Sequence, residues 1–248
     1  MSHERQGLWA VALLAALLAG IVLLVGGVPG LPAVPVADWG GLALNLILAF
    51  VTILASVPAG IALAFARRSR RKPVAWLAAA YVEFWRAVPL LAVLFMGVVM
   101  LPLFLPAGMT VNNVVRTLIV LVLFTSAYMA EVFRGALQTV PTGQEEAASS
   151  LGMRKTAIAL LVVLPQAMRI AVPGIVNIAV DLFKDTSLVS VVGLLDLVGV
   201  AAQSLKDPAW LGLSMEAYIF TALLFFVWCL LISLSGQFVE RRVKAPWR

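Results

Sequence analysis

The sequence predicts an all-α, polytopic membrane protein with about six transmembrane helices, each needing roughly 20 apolar residues. Three observations predict it. Hydrophobic residues make up 62% of the 248, with a mean hydropathy of +1.04, where soluble domains are roughly half apolar. Charged residues are 12% of the chain, about half the soluble share. The apolar residues also fall into long runs separated by short polar stretches, with lysine and arginine gathered at the run ends.

The first run, residues 8–28, carries no charge. A signal peptide's apolar region spans about 7–15 residues, so a retained helix is expected here instead. Residues 29–39 form a Pro- and Gly-containing link without Lys or Arg. The second span is expected at 40–66, closed by Arg67-Arg68-Ser69-Arg70-Arg71-Lys72. The third is expected over 85–105, broken at Pro89 and Pro102, and the fourth over 114–133. Residues 167–202 are too many for one straight crossing of about 20. Pro173, Gly174 and the group Lys184-Asp185-Thr186-Ser187 interrupt them, so a crossing followed by a broken half-helix is expected. The sixth span is expected at 217–238.

Basic residues orient such a chain. Arg5, the cluster after span two, the stretch from Arg134 to Arg169 and the C-terminal tail fall on one side. The opposite loops at 29–39, 106–113 and 203–214 hold only Lys206. The positive-inside rule then places both termini in the cytoplasm. Arg116 is the exception to this pattern.

Composition and motifs exclude several functions. The pI near 10 comes from clusters at span ends, where they set topology, so no nucleic-acid partner is expected. Cys229 stands alone, and His3 is the single histidine, so no disulfide framework, His-based metal site or catalytic triad is expected. Gly152-Met153-Arg154-Lys155-Thr156 lacks the glycine-rich loop of an ATP-binding motif, so this chain is not expected to hydrolyse ATP. No cofactor is expected.

The polar stretch 131–165 is the most informative. Pro141 suits a helix start, Gln144-Glu145-Glu146 place acids where the helix dipole favours them, and Ala147 and Ala148 permit close approach of a neighbour. Gly152 suits a helix end or tight turn. Glu146-Ala147-Ala148, three residues, Gly152, nine residues, Val162, one residue and Leu164-Pro165 follow in a spacing that resembles the coupling loop of ABC-importer permeases. Three further stretches resemble the polar-amino-acid permeases: Glu83-Phe84-Trp85-Arg86-Ala87-Val88-Pro89-Leu90, Ala127-Tyr128-Met129-Ala130-Glu131-Val132-Phe133-Arg134-Gly135, and Leu164-Pro165-Gln166-Ala167-Met168-Arg169 followed by Phe183-Lys184-Asp185-Thr186-Ser187-Leu188. The family resembled is the histidine/glutamate/glutamine/arginine-type amino-acid ABC importer permease, nearest its general L-amino-acid branch.

That resemblance implies a type-1 importer core over 40–240, an extra N-terminal helix and outer loop over 1–39, and a basic tail over 241–248. It implies coupling to a separate ATPase dimer through the loop 138–165, with Gly143, Gln144, Glu145, Glu146, Ala147, Ala148 and Gly152 in contact. A second permease copy or a sister permease, a periplasmic or extracellular amino-acid-binding protein, the amino-acid substrate and membrane lipid are the other implied partners.

The intramembrane charges suggest the substrate path. Ionisable groups in a span need a cavity or a partner. Glu131 and Arg134 are three apart and share a helix face, so they are expected to pair. Lys184 and Asp185 are adjacent and point apart, at a depth where broken helices build substrate sites. With Thr186, Ser187, Glu131 and Arg86 they form the expected path; stabilising the helix break or the contact between two permease subunits is the competing role for Lys184 to Ser187. The alternative function is a membrane channel or secondary amino-acid carrier that needs no ATPase; a membrane scaffold is a third.

Overall fold

The computed structural model of the protein describes residues 40–104, 106 and 111–244. The expected span at 8–28 and its link lie outside the described residues. Within them, α1 (Gly41–Arg67) is followed by α2 (Lys72–Ala87) and α3 (Leu90–Leu94), which continues as a widened π turn (Phe95–Met100) and a 3-10 turn (Leu101–Phe104). Then come α4 (Asn113–Thr139), the short α5 (Thr142–Ser150) and α6 (Lys155–Ala157), a second π turn (Ile158–Val163) and α7 (Leu164–Asp185). A 3-10 segment (Thr186–Val192), α8 (Leu197–Ser204), a 3-10 turn (Pro208–Trp210) and α9 (Ser214–Lys244) complete the described residues. Four of these helical stretches are long and apolar enough to cross a membrane, and the bent pair Lys72–Ala87 and Leu90–Phe104 gives a fifth candidate.

The bundle forms because α1, α4 and α7 each present small or apolar residues to one another. Gly60 of α1 faces Met129 and Ala130 of α4, so closely that a Cβ at Gly60 would lie 2.9 Å from the Met129 carbonyl carbon. Without a hydrophobic drive in lipid, such close backbone approach supplies the packing. Leu44, Leu48, Leu94, Val98, Leu121 and Val189 build the core towards the Gly41 and Asn113 ends. Ala64, Met129, Phe133, Leu137, Ile158 and Val163 build it towards the arginine-rich end. On α9, Thr221 and Gly236 are the buried residues among those described, which leaves most of its apolar surface for lipid or another chain.

Several expectations need adjustment. The third span does not begin at Trp85: residues 72–87 are already helical, and the chain turns by 103° before Leu90. The cause is Val88-Pro89, because proline forces extended backbone on the residue before it, and Val88 has φ −96°, ψ 135°. Pro173 and Gly174 do not interrupt α7, which runs through both. The break comes at the other expected place, starting at Thr186 and running to Val192, and is closed by Gly193 at φ +87°. The α4 helix extends six residues past the expected end of span four, to Thr139. Arg241, Arg242 and Lys244 lie in the last turn of α9.

Arg116, the charge that broke the orientation pattern, has a local explanation. The Val98 carbonyl lies in the widened π turn just before Pro102, a residue with no N–H to donate. Arg116 Nη1 donates to that carbonyl, and Nη2 donates to Asn113 Oδ1.

Candidate functional site

The short helix α5 sits at the arginine-rich end of the bundle. Pro141 precedes its first residue in extended backbone, and Glu145 falls in its first turn. It ends in a Schellman turn: Met153 N–H bonds to the Ala148 carbonyl at 3.3 Å and Gly152 N–H to the Ser149 carbonyl at 2.9 Å. Gly152 adopts φ +75°, the left-handed conformation that glycine alone enters without cost. Ala148 is buried against the body of the chain, in the cluster containing Val140, Ile158 and Val163. Gly143, Glu146, Ala147 and Ser150 face outward, and Leu151 is 83% exposed. Thus the two alanines divide: Ala148 seats the helix, and Ala147 lies on its free face.

Two side-chain contacts hold α5 in place. Glu145 Oε1 accepts from Arg68 Nη2 at 3.2 Å, at the end of α1. Gln144 Oε1 accepts from Gln166 Nε2 at 3.4 Å, on α7, and the same Gln166 amide donates to the Val162 carbonyl at 2.9 Å.

Beside α5 lies an ion cluster built by three helices. Arg67 of α1 pairs with Glu131 of α4 and lies 3.5 Å from Glu83 of α2. Arg134 donates to Glu131 Oε2 from Nη2 at 2.8 Å and from Nε at 3.0 Å. Arg86 Nη1 is 3.8 Å from the same oxygen. The i,i+3 pair Glu131–Arg134 was legible from spacing; Arg67, Glu83 and Arg86 come from other helices, and no sequence interval signals them.

Of the remaining candidate residues, Asp185 lines a cleft of about 260 Å³ between α4 and α7. Phe124, Thr125 and Tyr128 line it from α4, and Asp181, Leu182 and Asp185 from α7. Lys184 turns away from Asp185 and donates to Asp181 Oδ1 at 3.2 Å. Arg86 lies over the Tyr128 ring, 5.9 Å from its centre, and so joins the cleft wall to the ion cluster. The cleft thus offers two carboxylates, two hydroxyls and two aromatic faces. That set can hold a cationic group beside an apolar body.

Thr186 does not line this cleft. It is fully buried, donating to the Phe183 carbonyl at 2.6 Å and accepting from Asn45 Nδ2 at 2.9 Å. The second Nδ2 hydrogen of Asn45 goes to Asp196 Oδ2 at 3.1 Å, and its Oδ1 accepts from Leu197 N–H at 2.9 Å. Asp196 caps α8 by accepting from Gly199 N–H at 2.9 Å. Its buried carboxyl is pushed above the ordinary carboxylate range by desolvation, partly opposed by the hydrogen bonds from Gly199 and Asn45. Sequence reasoning missed Asn45; a lone amide in an apolar span was the available signal.

Long apolar helices, a broken segment at Thr186–Val192 and a short polar helix at one end define a membrane transport component of the all-α class. The chain belongs to the family of binding-protein-dependent transport system inner membrane components, whose sequence profile matches residues 56–245. It is 48% identical over 220 residues to an inner membrane amino-acid ABC transporter permease protein, YhdY, of Escherichia coli K12. The match covers 89% of this chain and 60% of that protein. It is 41% identical to the glutamate/glutamine/aspartate/asparagine transport system permease protein BztC of Rhodobacter capsulatus, over 88% of this chain and 50% of that protein. The chain therefore spans about half to three fifths of the length of these curated relatives. Its fold matches a chain of a crystallised amino acid ABC transporter with histidines, at 33% identity and a TM-score of 0.73, over 82% of this chain and 92% of that one. The type-1 permease core expected from the sequence is the fold observed.

Proposed function

We propose that this chain is the membrane-spanning subunit of an ATP-driven importer of amino acids, with ATP hydrolysed on a separate dimeric partner. The arginine-rich end faces the cytoplasm, and both termini lie there. The helix α5 docks the ATPase through Gly143, Gln144, Glu145, Glu146, Ala147 and Gly152, while Ala148 seats it from behind. A second copy or a sister permease lies across the path, and a binding protein outside the membrane delivers the amino acid. The α4–α7 cleft with Asp185 and Lys184 takes the substrate; its carboxylates suit the ammonium that every amino acid carries. Thr186 and Ser187 shape the helix break above it.

The observation that carries this reading is Leu151, 83% exposed at the end of α5, beside an arginine-rich turn rather than along an apolar span. Covering a leucine contributes about 1.5–3 kcal/mol, and a partner groove over α5 does so. A channel or secondary carrier has no use for such a helix. The relatives' printed roles in amino-acid transport support the substrate class.

The test is to purify the tagged chain from its membrane and identify the chains that accompany it, then to repeat with Glu146→Lys. The expected result is an ATP-binding partner that is lost, or no longer stimulated, in the variant. Normal uptake by Glu146→Lys would refute the docking assignment.

A further inference from the structure

We propose that the ion cluster centred on Glu131 is a latch that passes movement of α5 to the substrate cleft, with Arg67 and Arg68 as its two jaws. This rests on the proposed function and goes beyond it, because docking alone does not say how motion leaves α5.

The first observation is adjacency. Arg68 holds Glu145 of α5, and its neighbour Arg67 holds Glu131 of α4. Arg68 N–H is bonded to the Phe65 carbonyl at 3.1 Å, so the last turn of α1 is a closed, stiff unit. A displacement of α5 that pulls Arg68 therefore moves Arg67.

The second observation is the charge count. Arg67, Arg86 and Arg134 share two carboxylates, Glu83 and Glu131. Arg67 bridges both at once: Nη1 pairs with Glu131, and Nη2 lies 3.5 Å from Glu83. An arginine that bridges two helices pulls on both carboxylates when its own helix moves, and loss of the Glu131 contact leaves it held by Glu83 alone. Glu131 is partly buried, with 19% of its side chain exposed, so losing a partner there costs more than at a free surface.

The third observation is the link to the cleft. Arg86 touches Glu131 on one side and lies over Tyr128 on the other, and Tyr128 lines the cleft. When Arg67 is pulled off Glu131 and keeps Glu83, Glu131 is left to Arg134 and Arg86, and Arg86 is drawn across the Tyr128 face. The latch sets the shape of the cleft at its arginine-rich end. Glu131 and Arg86 thereby serve the substrate path by controlling it, without holding the amino acid.

The test uses the intact assembly in vesicles with its ATPase and binding protein. It measures uptake of radiolabelled glutamate, glutamine, arginine or histidine, whichever the unmodified assembly takes up, per ATP hydrolysed. Glu131→Gln is expected to assemble, to hydrolyse ATP without the binding protein, and to lower uptake per ATP about tenfold, within the usual range of coupling between two sites. Arg68→Glu and Glu145→Arg are each expected to lower the ratio, and the double variant, which restores the pair with charges exchanged, to recover it. A wild-type ratio in Glu131→Gln, or a double variant no better than the singles, overturns the latch. So does failure of Glu131→Gln to assemble, since the cluster is then a packing strut. Failure of the proposed function is distinct: the unmodified assembly itself would show no uptake tied to ATP hydrolysis.

Discussion

Asn45 donates a hydrogen bond of 2.9 Å to Thr186 across 141 residues of sequence, and both residues are fully buried. This bond, with those to Asp196 and Leu197, fastens the broken segment after α7 to the start of α1. The backbone pair Gly41 N–H to Leu195 carbonyl at 2.7 Å adds to it. Replacing Asn45 by Ala leaves Leu197 N–H and the Asp196 carboxylate short of partners in an apolar setting. We expect a loss of about 2–3 kcal/mol, the penalty for buried groups left unsatisfied. Thermal unfolding of the detergent-purified chain checks it, and an unchanged midpoint would remove the clasp from the account of stability.

Asp196 predicts a pH dependence. Burial raises its carboxyl pKa in the folded chain, whereas the unfolded chain titrates in the ordinary range. Between those two values the folded state holds a proton that the unfolded state has released. Stability from this group is therefore fully present below the ordinary range and declines as pH rises through the folded value. Asp196→Asn removes that slope. The difference in unfolding midpoint between the protein and the variant should shift in the variant's favour from about pH 4 upwards, the ordinary carboxylate region. A constant difference across that window would show that Asp196 titrates normally.

Gly152 and Gly143 give a paired experiment on α5. A Cβ at either position meets nothing within 4 Å, so sterics do not separate them. Gly152 alone of the two has φ +75°. Gly152→Ala should cost about 1–2 kcal/mol of local stability, the left-handed penalty for an ordinary residue. Gly143→Ala should stabilise α5 by up to about 1 kcal/mol, the difference in helix propensity. Amide exchange across 142–153 reads both signs. Equal effects would mean that the turn at Gly152 is not left-handed.

Gly60→Ala tests the α1–α4 contact. The new Cβ would lie 2.9 Å from the Met129 carbonyl carbon and 3.0 Å from Ala130 N, and backbone yields less readily than a side chain. Overpacking of this kind costs about 1–3 kcal/mol. A lowered unfolding midpoint is expected, together with weaker Arg67–Glu131 pairing, since both lie on the same two helices. Wild-type stability would show that the two helices separate freely.

Orientation is checked by labelling. In a Cys229→Ala background, Asp207→Cys should react with an impermeant maleimide applied to intact cells, and Thr142→Cys should react only after the membrane is opened. Both positions are exposed, so reactivity reports sidedness. The reverse pattern would overturn the placement of α5 in the cytoplasm.

The features legible in the sequence are those decided within a few residues of the chain. The apolar runs at 40–66, 114–133 and 217–238 became α1, α4 and α9, because span length and charge exclusion are properties of a single helix. The α5 helix and its end at Gly152 were equally local, a matter of dipole, proline and left-handed backbone. The pair Glu131–Arg134 followed from helical periodicity. Pro173 misled because proline removes one hydrogen bond without ending a helix whose neighbours hold it in place.

What the tertiary structure decided is which distant groups meet. Arg67 and Arg86 reach Glu131, Asn45 reaches Thr186 and Asp196, and Arg116 reaches the Val98 carbonyl, all through helices whose relative placement no interval in the sequence encodes. In an apolar surrounding each polar group must find a partner, but the sequence states only the need. The packing of α1, α2, α4 and α7 supplies the partner, and with it the division of the candidate residues into a docking helix, an ion cluster, a cleft and a buried clasp.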